Sequence, residues 1–285
     1  MGLFDGKKGL IFGVANDRSI AWAVAEKIMS EGGQCGFTHL PDPEGDERKK
    51  NQRRVEKCFE KSTSGGTPSF LVPCDVQHDD QIANVMKKAE EEFGKIDFVL
   101  HSMAFADRAD LNDTIDASRE GFKLAMDISC FSLIAIAKAA RPLFNEKGSI
   151  ACMTYFGGEK IVAGYNLMGI CKAALDAATR YLAYDLGPDG VRVNAVSAGP
   201  IKTLASAAVG AHDMLPMNAV VSPLQRNVTV GEVGNAGAYL LSDLSDGVTG
   251  EILHVDGGYN AMGSPGRIVN HVPKEEWEKI RDTYK

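Results

Sequence analysis

The chain predicts an α/β fold built on a doubly wound parallel sheet of seven strands with helices on both faces, and three observations predict it. Seven short runs, 9–12, 34–38, 69–72, 96–100, 149–153, 191–196 and 251–255, are apolar almost throughout. Helical patterns near 19–31, 46–61, 79–93, 119–144, 164–186 and 229–243 separate them. Short strands with two apolar faces cannot be half-exposed antiparallel ribbons, so they belong in a parallel sheet covered on both sides. In such sheets a ligand sits beyond the carboxyl ends of the strands where the winding reverses, which directs attention to the loops after the first, fourth, fifth and sixth strands.

The first of these loops reads Gly13-Val14-Ala15-Asn16-Asp17-Arg18-Ser19-Ile20-Ala21 and opens a helix. A helix start presents unpaired N–H groups and about half a unit of positive charge, a seat for a pyrophosphate. Gly13 permits close backbone approach, and Ser19 can either cap the helix or bond a phosphate oxygen. The Gly-x-Gly-x-x-Gly pattern is absent.

The second strand runs into Thr38-His39-Leu40-Pro41-Asp42, with neither an acid for a ribose 2′-hydroxyl nor an arginine for a 2′-phosphate at its end, so the choice of dinucleotide stays open. His39 could lie over adenine or ribose, or simply face solvent. The third ends in Cys74-Asp75-Val76, where Asp75 could bond an adenine amino group or cap the next helix. The fourth ends in His101-Ser102-Met103-Ala104-Phe105-Ala106, small and apolar enough for a flat cofactor to lie against backbone, or for plain core.

After the fifth strand comes Tyr155-Phe156-Gly157-Gly158-Glu159-Lys160-Ile161-Val162-Ala163-Gly164-Tyr165, with Lys172 seven residues later. Seven residues are close to two helical turns, so Tyr165 and Lys172 share a face roughly 10 Å apart along the axis. A phenol and an ammonium so placed suit a reduction in which the phenol supports a developing oxyanion while the ammonium holds a cofactor's sugar and lowers the phenol's pKa. The same spacing also fits a helix with one exposed Tyr and one exposed Lys.

The sixth strand continues into Ser197-Ala198-Gly199-Pro200-Ile201-Lys202-Thr203, where backbone groups of Ile201 and Thr203 could bind a carboxamide. Residues 204–221, rich in Ala, Met, Leu and Val, fit either a mobile apolar lid or a buried helix. These loops converge on one sheet edge, which makes the joint case stronger than any one of them. The expected organisation is a single dinucleotide-binding and catalytic domain over 1–263 with a substrate lid at about 201–222. An extension of 264–285 follows, an arm ending in a short helix near 274–283.

Composition narrows the partners. With 285 residues and 44% hydrophobic content the chain can bury a large core. A net charge of −7 and a pI near 5.4 argue against nucleic acid, and the basic cluster at 48–54 is interleaved with Glu47, Glu56 and Glu60 as a solvated helix face would be. The six cysteines show no Cys-x-x-Cys spacing and sit in apolar surroundings, as reduced buried thiols do, so neither a disulfide frame nor a metal site is expected. The N-terminus does not read as a signal peptide and no apolar stretch reaches membrane-spanning length, so the expected location is cytoplasmic with no membrane partner.

Taken together these residues resemble the short-chain dehydrogenase/reductase superfamily, Rossmann-like in fold, and within it the bacterial enoyl-acyl-carrier-protein reductases. The likeness runs from about Gly2 to Gly258. It rests on Gly13-x5-Ser19-Ile20-Ala21, Cys74-Asp75-Val76, Tyr155-x9-Tyr165-x6-Lys172, Arg192-Val193-Asn194-Ala195 through Ile201, and His254-Val255-Asp256-Gly257-Gly258. Ordinary members of the superfamily carry a Tyr four residues before the Lys. Here that position is Met168 and the phenol stands at Tyr165, which separates enoyl reductases from ketone and alcohol dehydrogenases.

The resemblance implies NADH-dependent reduction of trans-2-enoyl thioesters on acyl carrier protein, in fatty acid biosynthesis, by a homotetramer. It implies that Tyr165 bonds the thioester oxygen, Lys172 the nicotinamide ribose, and that Tyr155 and Ala106 line the acyl site. Gly13, Ser19 and Ile20 would hold the pyrophosphate side, Asp75 and Val76 the adenine, Ile201 and Thr203 the nicotinamide amide, with His39 and Met103 beside the cofactor. The chain departs from the family where relatives often have a Gln at the end of the second strand and an Ile-Gly pair at Met103-Ala104. It also lacks basic residues over 204–214, where relatives meet the acidic carrier; Lys202 and Arg226 are the nearest substitutes. Two other activities compete: a carbonyl reductase, which would need a phenol at 168, and a dinucleotide sensor without turnover.

Overall fold

The computed structural model describes residues 2–201 and 211–283, the side chains of 211–213 excepted. Seven parallel strands form one sheet: β1 Lys8–Phe12, β2 Gln34–His39, β3 Phe70–Pro73, β4 Ile96–His101, β5 Phe144–Thr154, β6 Arg192–Ala198 and β7 Ile252–Val255, in the spatial order β3-β2-β1-β4-β5-β6-β7. The winding reverses between β1 and β4, so the crevice for a ligand opens above their carboxyl ends.

Side chains alternate across the strands and feed two cores. Leu10, Phe12, Val99, Ile150, Cys152 and Val193 point to the face covered by α3 (Asp79–Phe93), α5 (Ser132–Ala140) and α6 (Asn166–Leu186). Ile11, Phe98, Leu100, Ala151, Met153 and Val196 point to the face covered by α1 (Ile20–Ser30), α2 (Lys50–Glu60) and α8 (Val230–Leu241). On that second face α1 and α8 lie in close contact: a Cβ at Gly234 would stand 2.9 Å from Ala23, so a glycine is needed there. A capping box at Thr229 and Glu232 starts α8.

The single helix expected over 119–144 is broken. It forms α4 (Arg119–Met126), a π-turn (Asp127–Phe131) and α5, and then stops at the turn Arg141–Leu143, whose Pro142 cannot continue it. Strand β5 therefore starts at Phe144, five residues before the expected 149, and its pairing with β4 is irregular over that stretch. Likewise α2 starts at Lys50 rather than near 46. Lys49 has φ of 45°, and Asp42 accepts from the Asn51 and Gln52 amides at 2.6 and 3.2 Å, fixing the start of the helix from the β2 side.

The remaining helices are α4 as above, α7 (Ala211–Val221) and α9 (Lys274–Thr283). All six cysteines are buried free thiols.

Candidate active site

The β1–α1 turn is built by Ser19. Its hydroxyl oxygen accepts from the Ala15 and Asn16 amides at 3.0 and 2.9 Å and makes no cap bond to α1. Of the two roles open to it from sequence, neither is taken inside the chain: Ser19 shapes the turn, and its hydroxyl proton stays available to a phosphate oxygen. The first-turn amides of α1, beginning with Ile20, are without a side-chain cap. Gly13 has φ of 100°, and a Cβ there would stand on the Ser102 carbonyl and 3.2 Å from Met103, so the turn and the β4 loop close on each other at this glycine. An uncapped helix start beside a tight glycine turn at the winding reversal fits the pyrophosphate of a dinucleotide.

Along the rest of that edge, His39 is buried with Nδ1 2.9 Å from the Leu40 carbonyl. Asp75 does serve the local turn, accepting from the Gln77 amide at 3.1 Å, while its other oxygen stands 3.8 Å from His78. The helix α3 starts later, at Asp79, and Val76 is buried beside the third strand's end. Ile201 packs at the margin of the second core. Thr203, Lys202 and residues 204–210 of the expected lid lie outside the described residues.

The β4 loop is tied to the π-turn: Ser129 accepts from the Phe105 amide at 3.0 Å and donates to the Phe105 carbonyl at 3.2 Å. His101, at the end of β4, is fully buried with Nε2 2.7 Å from Ser132 Oγ. Ser132 spends its own proton on the Ile128 carbonyl at 2.6 Å, so the imidazole donates through Nε2 and leaves Nδ1 a buried acceptor without a partner. Burial, and next the Lys172 charge, pull His101 down to about 3, so it is neutral.

Tyr155, Tyr165 and Lys172 gather at the carboxyl end of β5. The Tyr155 and Tyr165 rings meet edge to face with centroids 4.7 Å apart. Tyr165 is the residue before α6 and packs against an apolar cluster with Ala106, Leu111, Ala117, Met126, Leu167 and Met168. Burial pushes both phenols well above the ordinary tyrosine value, so each is a neutral hydrogen-bond donor. Lys172 is buried on α6, and its Nζ donates to the Met153 carbonyl at 2.8 Å, which leaves two ammonium protons uncommitted. Burial lowers its pKa.

Met168, where the superfamily's usual phenol would stand, is a core side chain 4% exposed. No redox-competent phenol can be presented from that position. The tyrosines at this end of the sheet are Tyr155 and Tyr165.

The family model for enoyl-(acyl carrier protein) reductase matches residues 13–260. The chain belongs to that family. Among its relatives, the NADH-dependent enoyl-[acyl-carrier-protein] reductase of Nostoc sp. is 47% identical over 90% of this chain and 98% of its own length. The corresponding reductase of Aquifex aeolicus is 43% identical over 94% of this chain and 96% of its own. The crystal structure of the Anaplasma phagocytophilum reductase in complex with NAD superposes with a TM-score of 0.84 at 45% identity, covering 92% of this chain and 97% of that one. The Bacillus cereus reductase, solved with NADP+ and an indole naphthyridinone, gives 0.86 at 42%, covering 93% and 100%.

Two groups in this enoyl reductase site escaped the sequence. Thr154, the last residue of β5, and Asp176, one turn beyond Lys172, are both buried with no hydrogen-bond partner for Oγ1, Oδ1 or Oδ2. The four-residue step from Lys172 was the available signal for Asp176.

Proposed function

We propose that the protein is an NADH-dependent enoyl-[acyl-carrier-protein] reductase that converts trans-2-enoyl thioesters to saturated acyl thioesters in fatty acid biosynthesis. The observation that carries it is the phenol's position: Tyr165, half-buried among apolar side chains beside Tyr155, with Met168 in the core.

Bound NADH supplies a hydride to the β-carbon of the enoyl group. As that carbon gains electrons, negative charge collects on the thioester oxygen, and the Tyr165 hydroxyl donates a hydrogen bond to it. With its pKa raised, this phenol stabilises the oxyanion and keeps its own proton, so solvent supplies the proton at the α-carbon. Lys172, anchored at one proton by the Met153 carbonyl, turns its other donors to the nicotinamide ribose and orients the ring. Tyr155 and Ala106 hold the acyl chain and keep water from the reacting carbons. The β1–α1 turn with Gly13, Ser19 and Ile20 binds the pyrophosphate, Asp75 and Val76 the adenine, and Ile201 with Thr203 the carboxamide; His39 and Met103 flank the cofactor.

The same assignment makes the protein a cytoplasmic homotetramer. Phe131 just before α5, Ile134 on α5, and Ile170, Tyr181 and Tyr184 on α6 are large exposed side chains on one helical layer, as subunit contacts require. No helix among the described residues is long and apolar enough to cross a membrane. Sedimentation should give four times the monomer mass.

Loss of NADH absorbance with crotonyl and longer enoyl thioesters tests the activity. Tyr165→Phe should slow turnover by about 10- to 1,000-fold, the loss of one oxyanion donor, with NADH affinity retained. Lys172→Ala should weaken NADH binding. Equal activity in all three proteins, or NADH binding with no thioester reduction by the wild type, would refute it.

A further inference from the structure

Lys172 is a buried ammonium with a single hydrogen bond, to a neutral carbonyl, and among the described residues no carboxylate lies within ion-pair distance of it. Isolated ammonium groups in protein interiors lose their proton unless negative charge is near. The titratable groups that face it can be taken one by one. Cys152 on β5, Cys171 on α6 and Cys130 in the π-turn are buried thiols whose pKa values burial raises, to about 12 for Cys152 and about 11 for Cys171, so they are uncharged near neutral pH. His101 on β4 is neutral. Asp176 remains.

Asp176 stands four residues after Lys172 on the same face of α6 and is 3% exposed. Neither of its oxygens nor the neighbouring Thr154 hydroxyl has a partner in good hydrogen-bond geometry; burial raises the Asp176 pKa, and the adjacent Thr154 hydroxyl and the Lys172 charge oppose that rise. The turn after β5 is shaped around it: a Cβ at Gly158 would stand 2.8 Å from Asp176 Oδ2 and 2.8 Å from the Lys172 carbonyl carbon. That turn follows directly on Tyr155. Asp176 is faced in turn by Lys172 and Arg180 of α6, Thr154 of β5, Tyr165 and, across the turn, Glu159. Glu159 is itself engaged with His254 at 2.7 Å.

We propose that Asp176 is a positioning residue of the reductase: its carboxylate, buried one turn beyond Lys172 beneath Thr154 and Gly158, is the counter-charge that keeps Lys172 an ammonium able to hold the cofactor's ribose. Helical neighbours at this spacing are roughly 5–6 Å apart at Cβ, and at an effective dielectric near 20 one unit charge at or beyond that distance moves its partner's titration by up to about two pH units. That interaction opposes, without cancelling, the burial that raises the Asp176 pKa, and the glycine at 158 preserves the space.

The inference rests on the enoyl reductase assignment for the lysine's task, and its test reads cofactor binding rather than turnover. NADH affinity is measured by fluorescence from pH 6 to 10 for wild type, Asp176→Asn, Asp176→Glu and Asp176→Gln, with thermal melts of each. Removing the negative charge lowers the pH at which Lys172 gives up its proton. The alkaline loss of NADH affinity should therefore begin lower, by up to about two pH units, in the Asn and Gln variants than in wild type and Glu. Charge, and not side-chain size, should sort the four proteins; the Glu/Gln pair supplies the same comparison should the Asn variant not fold. An alkaline limit shared by wild type and Asn, or by Glu and Gln, overturns the proposal, because it would show position 176 already neutral or uncoupled from the lysine. A wild type that binds NADH with the expected charge dependence but reduces no enoyl thioester would leave Asp176's role standing and remove the substrate assignment alone.

Discussion

The Tyr155 ring meets the Tyr165 ring edge to face, 4.7 Å between centroids with planes at 68°, so the first residue after β5 holds the first residue before α6 in place. Edge-to-face aromatic pairs are worth about 0.5–1.5 kcal/mol beyond the area they bury. Tyr155→Ala should therefore lower kcat/KM for enoyl thioester by roughly 2- to 10-fold through a less confined Tyr165. Tyr155→Phe, which keeps the ring, should stay close to wild type. Steady-state kinetics of the two variants separate the ring's contribution from that of the hydroxyl.

Met168→Tyr places a phenol where ketone-reducing members of the superfamily carry theirs, yet should not confer that chemistry. Met168 is packed with Leu167, Cys171 and Ala125. A larger side chain with a buried hydroxyl should cost about 1–3 kcal/mol by overpacking, seen as a lower thermal midpoint with no gain of carbonyl reduction.

His101 makes stability depend on acid. Its folded-state pKa, about 3, lies below the ordinary value near 6.5, so between those limits the unfolded chain binds a proton that the folded chain refuses. Stability then falls as pH falls through that window, by about 1.4 kcal/mol per pH unit and about 2 kcal/mol between pH 7 and 5. Urea unfolding of wild type at the two pH values should show this loss. His101→Gln, which does not titrate there, should lose correspondingly less over the same interval.

The extension after Gly263 folds back against α7. The turn Gly266–His271 packs on α7, the described part of the expected lid. Gly266 approaches the backbone of Val221, its Cβ position 3.5 Å from the carbonyl oxygen, and Arg267 reaches 3.2 Å from the Gln225 side-chain amide when the oxygen faces it. A chain ending at Gly263 should bind NADH normally but show a KM for long enoyl thioesters raised a few-fold, because α7 loses its outer support. Arg267→Ala should move in the same direction by less. Unchanged kinetics in the truncated chain would leave the extension without a part in substrate binding.

Much of this protein was determined by its sequence alone. Seven apolar runs between helical patterns were enough for the sheet and both covered faces, since burial on two sides requires local runs that any reader can find. The placing of Tyr165 and Lys172 on one helix face, and the absence of a phenol at 168, followed from spacing along a single element. Tertiary structure decided what depends on contacts between distant segments. It made Ser19 the organiser of its turn, broke the 119–144 helix at a π-turn whose Ser129 holds the Phe105 loop, and settled the His101 tautomer through Ser132. It also isolated Asp176 with Lys172, because the thiols, the imidazole and the glycine that define its surroundings come from β4, β5, the π-turn and the turn beyond. Periodicity reports which side of an element is buried; which charges meet there depends on how the elements pack.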